Sequence, residues 1–205
     1  IGILIFGFSM ISFKKADPFH TQVETYLQEQ LQSIQNITAQ MLVDNSQGNI
    51  EAVKAGFYQA RIPYKRAESL IEYFFTESAS KLNGPNLLEA NPSMPGEYIA
   101  PTGFQVLEEA VFADDYDVYS VKNEIENLNF HIQKIKNAQK NVLFTSTNVL
   151  DALKLNLFRM MTKGITGFDS PVIFNSVDEA KETLTGTTML LAIVNANNNT
   201  DILQK

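Results

Sequence analysis

The chain has 205 residues, 44% of them apolar, with 10 Gly, 7 Pro, two His, no Trp and no Cys. That length supplies one domain with a sizeable core. Without cysteine the stretch excludes disulfides, thiolate metal sites, iron–sulfur clusters and covalent CxxCH haem attachment. Its net charge of −7 leaves no basic stripe to neutralise phosphates, so nucleic acid is excluded as a partner.

The first residues, IGILIFGFSMISF, are almost wholly apolar and precede Lys14-Lys15. As a helix, thirteen residues reach about 20 Å, short of the roughly 30 Å of a bilayer's hydrocarbon core. The expectation for 1–16 is an export signal lacking its positive start, or an uncleaved N-terminal anchor. Export places the protein in the periplasm, touching a membrane only through an uncleaved segment. Residues 17–205 form the remaining single domain. No lipobox is available, because there is no Cys.

From Asp17-Pro18, an N-cap followed by proline at the first helical position, the pattern turns helical. Val23, Tyr26, Leu27, Leu31, Ile34, Met41 and Leu42 recur at helical spacing, and Asn45-Ser46-Gln47-Gly48 closes the helix. Asn49 caps the next, whose apolar seam is the most regular in the chain: Ile50, Val53, Phe57, Ala60, Tyr64, Ala67, Ile71 and Phe74. Pro63 lies inside it and is expected to kink or bulge it. Residues 83–104 hold four of the seven prolines and read as a long loop, with a role of its own or simply covering surface. A short amphipathic helix is expected over about 103–112.

A fourth helix starts near Ser120, with Val121, Ile125, Leu128, Ile132, Ile135 and Val142 along its seam. A fifth covers 147–163. Joined, the two would make a rod of about 66 Å, so a break is expected at Thr145–Thr147. Gly167-Phe168-Asp169-Ser170-Pro171 makes a turn. Ser176-x-x-Glu179 reads as a capping box opening a last helix to Asn197, and 195–200 as a frayed end or linker. The fold expected is all-α: an up-and-down bundle of five to six helices with one long Pro/Gly-rich loop.

Catalytic motifs are scarce. Neither His20 nor His131 belongs to HExxH, and no GxSxG, Walker loop or GxGxxG occurs. His20 and Glu24 lie one helical turn apart, as do Asp17 and His20, but a pair of this kind without further ligands is a poor metal site, and a solvated helix start explains it better. No catalytic residue and no metal ligand is assigned. Glu68, Glu72, Glu108 and Glu109 can act as acid and base only if two of them face one pocket.

The unusual feature is a charged stripe beside the second helix's seam. Arg61, Lys65, Glu68 and Glu72 each sit one position on from a seam residue, so they flank the core. Lys65 and Glu68 are spaced to pair along the helix, and Glu108-Glu109 are the expected partners for Arg61. The reading is a partly buried ion network tying the short helix to the second; the alternative is an ordinary solvated face.

These residues fall into a longer order. Ala60-Arg61-x-x-Tyr64-Lys65-x-x-Glu68-x-x-x-Glu72-Tyr73-Phe74 is followed by Leu82-Asn83-Gly84-Pro85 and by Pro101-x-Gly103-x-Gln105-Val106-Leu107-Glu108-Glu109-x-x-Phe112. Phe158-Arg159 comes next, then Gly164-Ile165-Thr166-Gly167-Phe168-Asp169-Ser170-Pro171. Over residues 20–200 this resembles the N-terminal helical extension of di-haem cytochrome c peroxidase (MauG-type) proteins of Bacteroidetes-like bacteria. More distantly it is similar to one helical half of imelysin-type periplasmic proteins. The first resemblance implies an accessory domain for a haem-containing peroxidase domain or another periplasmic protein, with docking through the proline-rich loop and the Arg61, Glu108 and Glu109 region. Haem c would then reside outside this chain, which has no cofactor of its own. The second implies a binder of a small ligand or metal linked to iron uptake, although the GxHxxE motif of that family is missing here.

Overall fold

The computed structural model describes residues 17–198. The expected leader at 1–16 and the chain beyond Asn198 lie outside the described residues. Within them the chain forms α1 (Pro18–Ser46), α2 (Ile50–Phe74), α3 (Thr76–Asn83), α4 (Phe104–Phe112), α5 (Val118–Ala138), α6 (Ser146–Arg159) and α7 (Ser176–Asn198). The architecture is an all-α bundle. Its only sheet among the described residues is an antiparallel ribbon of β1 (Glu89–Ala90) and β2 (Tyr98–Ile99), with Glu89 opposite Ile99 and Ala90 opposite Tyr98.

Helix ends follow their side chains. The Asp17 carboxylate accepts from the Phe19 amide, and Asn49 Oδ1 from the Ala52 amide. Thr145 and Asn148 form a reciprocal capping box that starts α6. The break between α5 and α6 therefore spans a 3₁₀ turn, Gln139–Asn141, and an extended stretch up to Thr145. After Arg159 the fifth expected helix does not continue as α: Met160–Gly164 is a π turn, in which the Ile165 amide bonds back to the Met160 carbonyl at 2.9 Å. The last helix runs to Asn198, so the expected frayed segment is helical at least that far.

One hydrophobic cluster draws on all seven helices. The seam residues Val53, Phe57, Ala60, Tyr64, Ala67 and Ile71 of α2 are fully buried, with Leu27, Leu31 and Ile34 of α1 and Ile125, Ile132 and Ile135 of α5. α2 is the central element: it packs on α1, α7, α6, α3 and α4. Between Ala60 and Ile71 it is therefore buried nearly all round, and Arg61, Pro63, Lys65, Glu68 and Ser69 are enclosed together with the seam.

Two glycines permit close approaches. Gly103 has φ +111°, its amide donates to Glu124 Oε1 at 2.5 Å, and a Cβ there would run into the Leu82 and Lys81 carbonyls. This contact seats α4 against the end of α3. Gly186 lets α7 lie directly on α2, because its missing Cβ would fall 2.7 Å from the Arg66 Cα. The obstacle is backbone, so it cannot rotate away. Gly186→Ala is expected to lower stability by about 2–3 kcal/mol through overpacking. An unchanged urea midpoint would show that the two helices separate at no cost.

Candidate functional site

The charged stripe folds inward and is completed from outside α2. Arg61 is 1% exposed and Glu179 of α7 is 4% exposed. The guanidinium grips Glu179 in fork geometry, with Nε to Oε1 at 2.6 Å and Nη2 to Oε2 at 2.5 Å. Nη1 donates to Asn83 Oδ1 at 2.8 Å and Nη2 to the Asp169 carbonyl at 3.0 Å. The rings of Phe104 and Tyr64 lie 5.0 and 5.6 Å from the guanidinium carbon. Four separate segments thus meet on one side chain.

Lys65 continues the network. Its Nζ donates to Glu68 Oε1 and to Asp169 Oδ2, both at 2.8 Å, and lies 3.5 Å from Glu179 Oε2. Arg159, the last residue of α6, reaches the same acids: Nη1 is 2.9 Å from Glu68 Oε1 and from Asp169 Oδ2, and Nη2 is 3.3 Å from Glu72 Oε1. Gly167, with φ +88°, opens the turn, and its carbonyl accepts from the Ser170 amide. That turn drops Asp169 into the network and leaves Phe168 and Pro171 at the surface, Phe168 under the Lys163 ammonium at 5.3 Å.

Burial and pairing compete at each titrating group. For Arg61 and Lys65 burial works against the charge, but Glu179 for the first and Glu68 for the second outweigh it, and both pKa values are raised. Burial pushes Asp169 upward too, yet Lys65 and Arg159 hold it down at about 2. Glu72 ends the other way. Its burial, with Glu68 and Asp169 nearby, overcomes the Arg159 attraction and raises it. Tyr64 is raised well above the usual phenol range by burial and by Glu72 and Glu68.

Three expectations need correction. Glu108 and Glu109 do not pair with Arg61. Glu108 is buried and its Oε1 caps the following turn, accepting from Ser170 Oγ at 3.3 Å and from the Val172 and Ile173 amides at 3.0 and 2.8 Å. Burial raises its pKa against those backbone donors. Glu109 is exposed and accepts from the Asn86 amide. Glu179 is not the acidic arm of a capping box, because both its oxygens are taken by Arg61. Finally, Arg61 and Glu108 are too enclosed to touch a docking partner.

Of the four glutamates weighed as acid and base, Glu72 lines a cleft between α2 and α6. His20 Nε2 lies 3.7 Å from Glu24, and its Nδ1 accepts from the Phe144 amide. No group of three or more His, Asp or Glu able to hold a metal exists among the described residues. Nor is any described helix long and apolar enough to cross a membrane. A cleft of about 310 Å³ lies over the Arg61–Glu179 pair, lined also by Tyr58, Ile62, Asn175 and Lys181. No protein-family model matches the chain, and no curated protein matches it either.

Removing one partner of a buried pair strands the other charge. Glu179→Gln is expected to destabilise the fold by about 3–5 kcal/mol, whereas the Arg61→Met/Glu179→Leu double variant recovers most of that loss. Urea unfolding of the three proteins decides it; a double variant as unstable as the single one would contradict the argument.

The pH response has two opposed parts. Asp169 has a folded pKa of about 2 against 3.8 unfolded, so its contribution is full above pH 3.8 and disappears as the pH falls towards 2. Glu72 is raised in the fold, so its ionisation costs stability above its folded pKa and the cost vanishes on acidification. Glu72→Gln is accordingly expected to melt above the wild type near neutral pH and to match it at pH about 4. Identical melting temperatures across that range would refute the assignment.

Proposed function

We propose that the chain is a non-catalytic helical accessory domain that holds and orients a partner protein. The observation that carries this reading is the internal use of its charge: Arg61, Lys65 and Arg159 are each engaged by Glu68, Glu72, Asp169 or Glu179. Such a network fixes the relative placement of α2, α6, α7 and the 167–173 turn. It leaves those acids and bases committed to one another.

The surface available to a partner is the proline-rich segment. Leu87, Leu88, Met94 and Tyr98 are exposed around the β1–β2 ribbon, and Glu109 reaches its edge through Asn86. Apolar side chains on a short ribbon braced by helices are suited to docking. Following the resemblance stated above, the partner is a haem-bearing peroxidase domain in the periplasm, where peroxide reduction and electron transfer would take place. The discriminating observation is the coding sequence past Lys205: two in-frame CxxCH motifs are expected. A stop codon there would overturn the covalent arrangement.

A second reading, an imelysin-like periplasmic protein that binds a small ligand or metal, is favoured by the cleft over Arg61 and Ile62, beside Pro63. Calorimetric titration with iron, zinc, copper and haem separates the two. The accessory reading expects no heat from any of them, and saturable binding would replace it with the second.

A further inference from the structure

Among the described residues, Phe174 is the one residue other than glycine in the left-handed region, at φ +54°. A bulky side chain strains the backbone there. Burial does not offset the strain, because Phe174 is 78% exposed and no other ring contacts it among the described residues. The conformation is imposed from inside. Glu108 Oε1, buried, accepts from the Val172 and Ile173 amides, and Ser170 Oγ, also buried, from the Asn175 amide. The backbone is thus held on both sides of Phe174, and buried groups keep its ring out in water. A fixed, exposed aromatic side chain is the form that interface anchors take.

The cleft of about 310 Å³ over the Arg61–Glu179 pair adjoins this anchor, since Asn175, the next residue, lines it together with Asp178. Its apolar lining is Tyr58 and Ile62, both partly exposed. A cavity of about 150 Å³ takes a benzene ring, so one phenyl group fits. Charge selects the occupant. Asp178 and Lys181 stand one turn apart on α7, both exposed and both lining the cleft, and neither makes an ion pair among the described residues. Glu182, by contrast, is taken by Arg66 at 2.7 Å. A two-fold axis passing between Asp178 and Lys181 sets each aspartate against the lysine of the other copy. Ring, cleft and both unpaired charges sit at one end of α7, so a second copy supplies the complement of every one of them.

We propose that two copies of this chain associate through the start of α7, with Phe174 of each seated against Tyr58 and Ile62 in the cleft of the other, and Asp178 of each opposite the other's Lys181. Such an interface is isologous and closes at the dimer. Val177, 76% exposed, widens its apolar centre. The patch is small, which makes the pair weak and reversible. This face is separate from the ribbon at 89–99, and the pairing does not depend on the accessory-domain reading.

The test is sedimentation equilibrium of the full chain over about 1–500 μM, where a monomer–dimer equilibrium with a Kd of about 100 μM or tighter is expected. Phe174→Gly should weaken the dimer at least about tenfold, yet leave the urea midpoint of the dilute monomer no lower than that of the wild type, because glycine accepts a positive φ. Asp178→Lys and Lys181→Asp should each weaken the dimer about tenfold, and the double variant, which exchanges the two charges, should regain the wild-type Kd. A chain that stays monomeric at the highest concentration overturns the proposal, as does a Phe174→Gly variant that dimerises like the wild type. A lowered midpoint for Phe174→Gly would assign the ring to the fold, and a double variant as weak as the single ones would remove the pairing; either result also overturns it.

Discussion

A guanidinium cannot shed its proton in a protein, so an arginine enclosed in a helical core must bring its counter-charge inside with it. Arg61 is that residue here, and Glu179 is its answer from 118 positions away. Satisfying both oxygens of Glu179 and the remaining Arg61 donors requires α7, Asn83 and the 169 carbonyl to arrive together. The arrangement of α2, α3, α7 and the intervening turn depends on this one pairing. A bundle held by apolar seams alone tolerates sliding; a forked ion pair with two further hydrogen-bond acceptors around its guanidinium has one register.

The same constraint explains why the neighbouring charges are buried. Once Arg61 is fixed, Lys65, one turn on, is carried into the interior and takes Glu68 and Asp169 as partners. Arg159 is drawn in from the end of α6, and the helix loosens into a π turn immediately after it. Replacing such a network with apolar side chains often costs a protein nothing in stability. Its contribution is specificity of packing, in keeping with the accessory role proposed above. The ribbon at 89–99 hangs from this frame through Glu124, which bonds Thr102 and Gly103, and through the bridge between Asn83 and Gly103.

Local signals read well in this chain, and for a physical reason. Caps act within three residues, so Asp17 and Asn49 mark helix starts that the fold keeps, and the break expected at Thr145–Thr147 falls where Thr145 caps α6. Seam periodicity reports which face of a helix meets others, and the α2 seam is buried as its spacing implies. The displacement of Arg61, Lys65 and Glu68 by one position from that seam was enough to mark them as flanking the core. What the seam could not reveal is that α2 is covered on that flank as well, since this depends on where α6 and α7 pack. Glu179 shows the limit most clearly: three residues after Ser176 it satisfies a local capping pattern, yet a buried cation offers its carboxylate a stronger partner than a helix-end amide.

The sequence by itself determined the helical class, the starts of α1 and α2, the absence of thiol chemistry in this stretch and the flank on which the unusual charges lie. These follow from composition, from side-chain reach of a few ångströms and from the 3.6-residue repeat. Only the tertiary structure decided the partners: Glu179 rather than Glu108 for Arg61, Arg159 as the third cation, and Glu108 as the cap of the 170–173 turn. Buried charges choose their counterparts by proximity in the folded chain, and residues 60 to 120 positions apart acquire that proximity only when the helices pack.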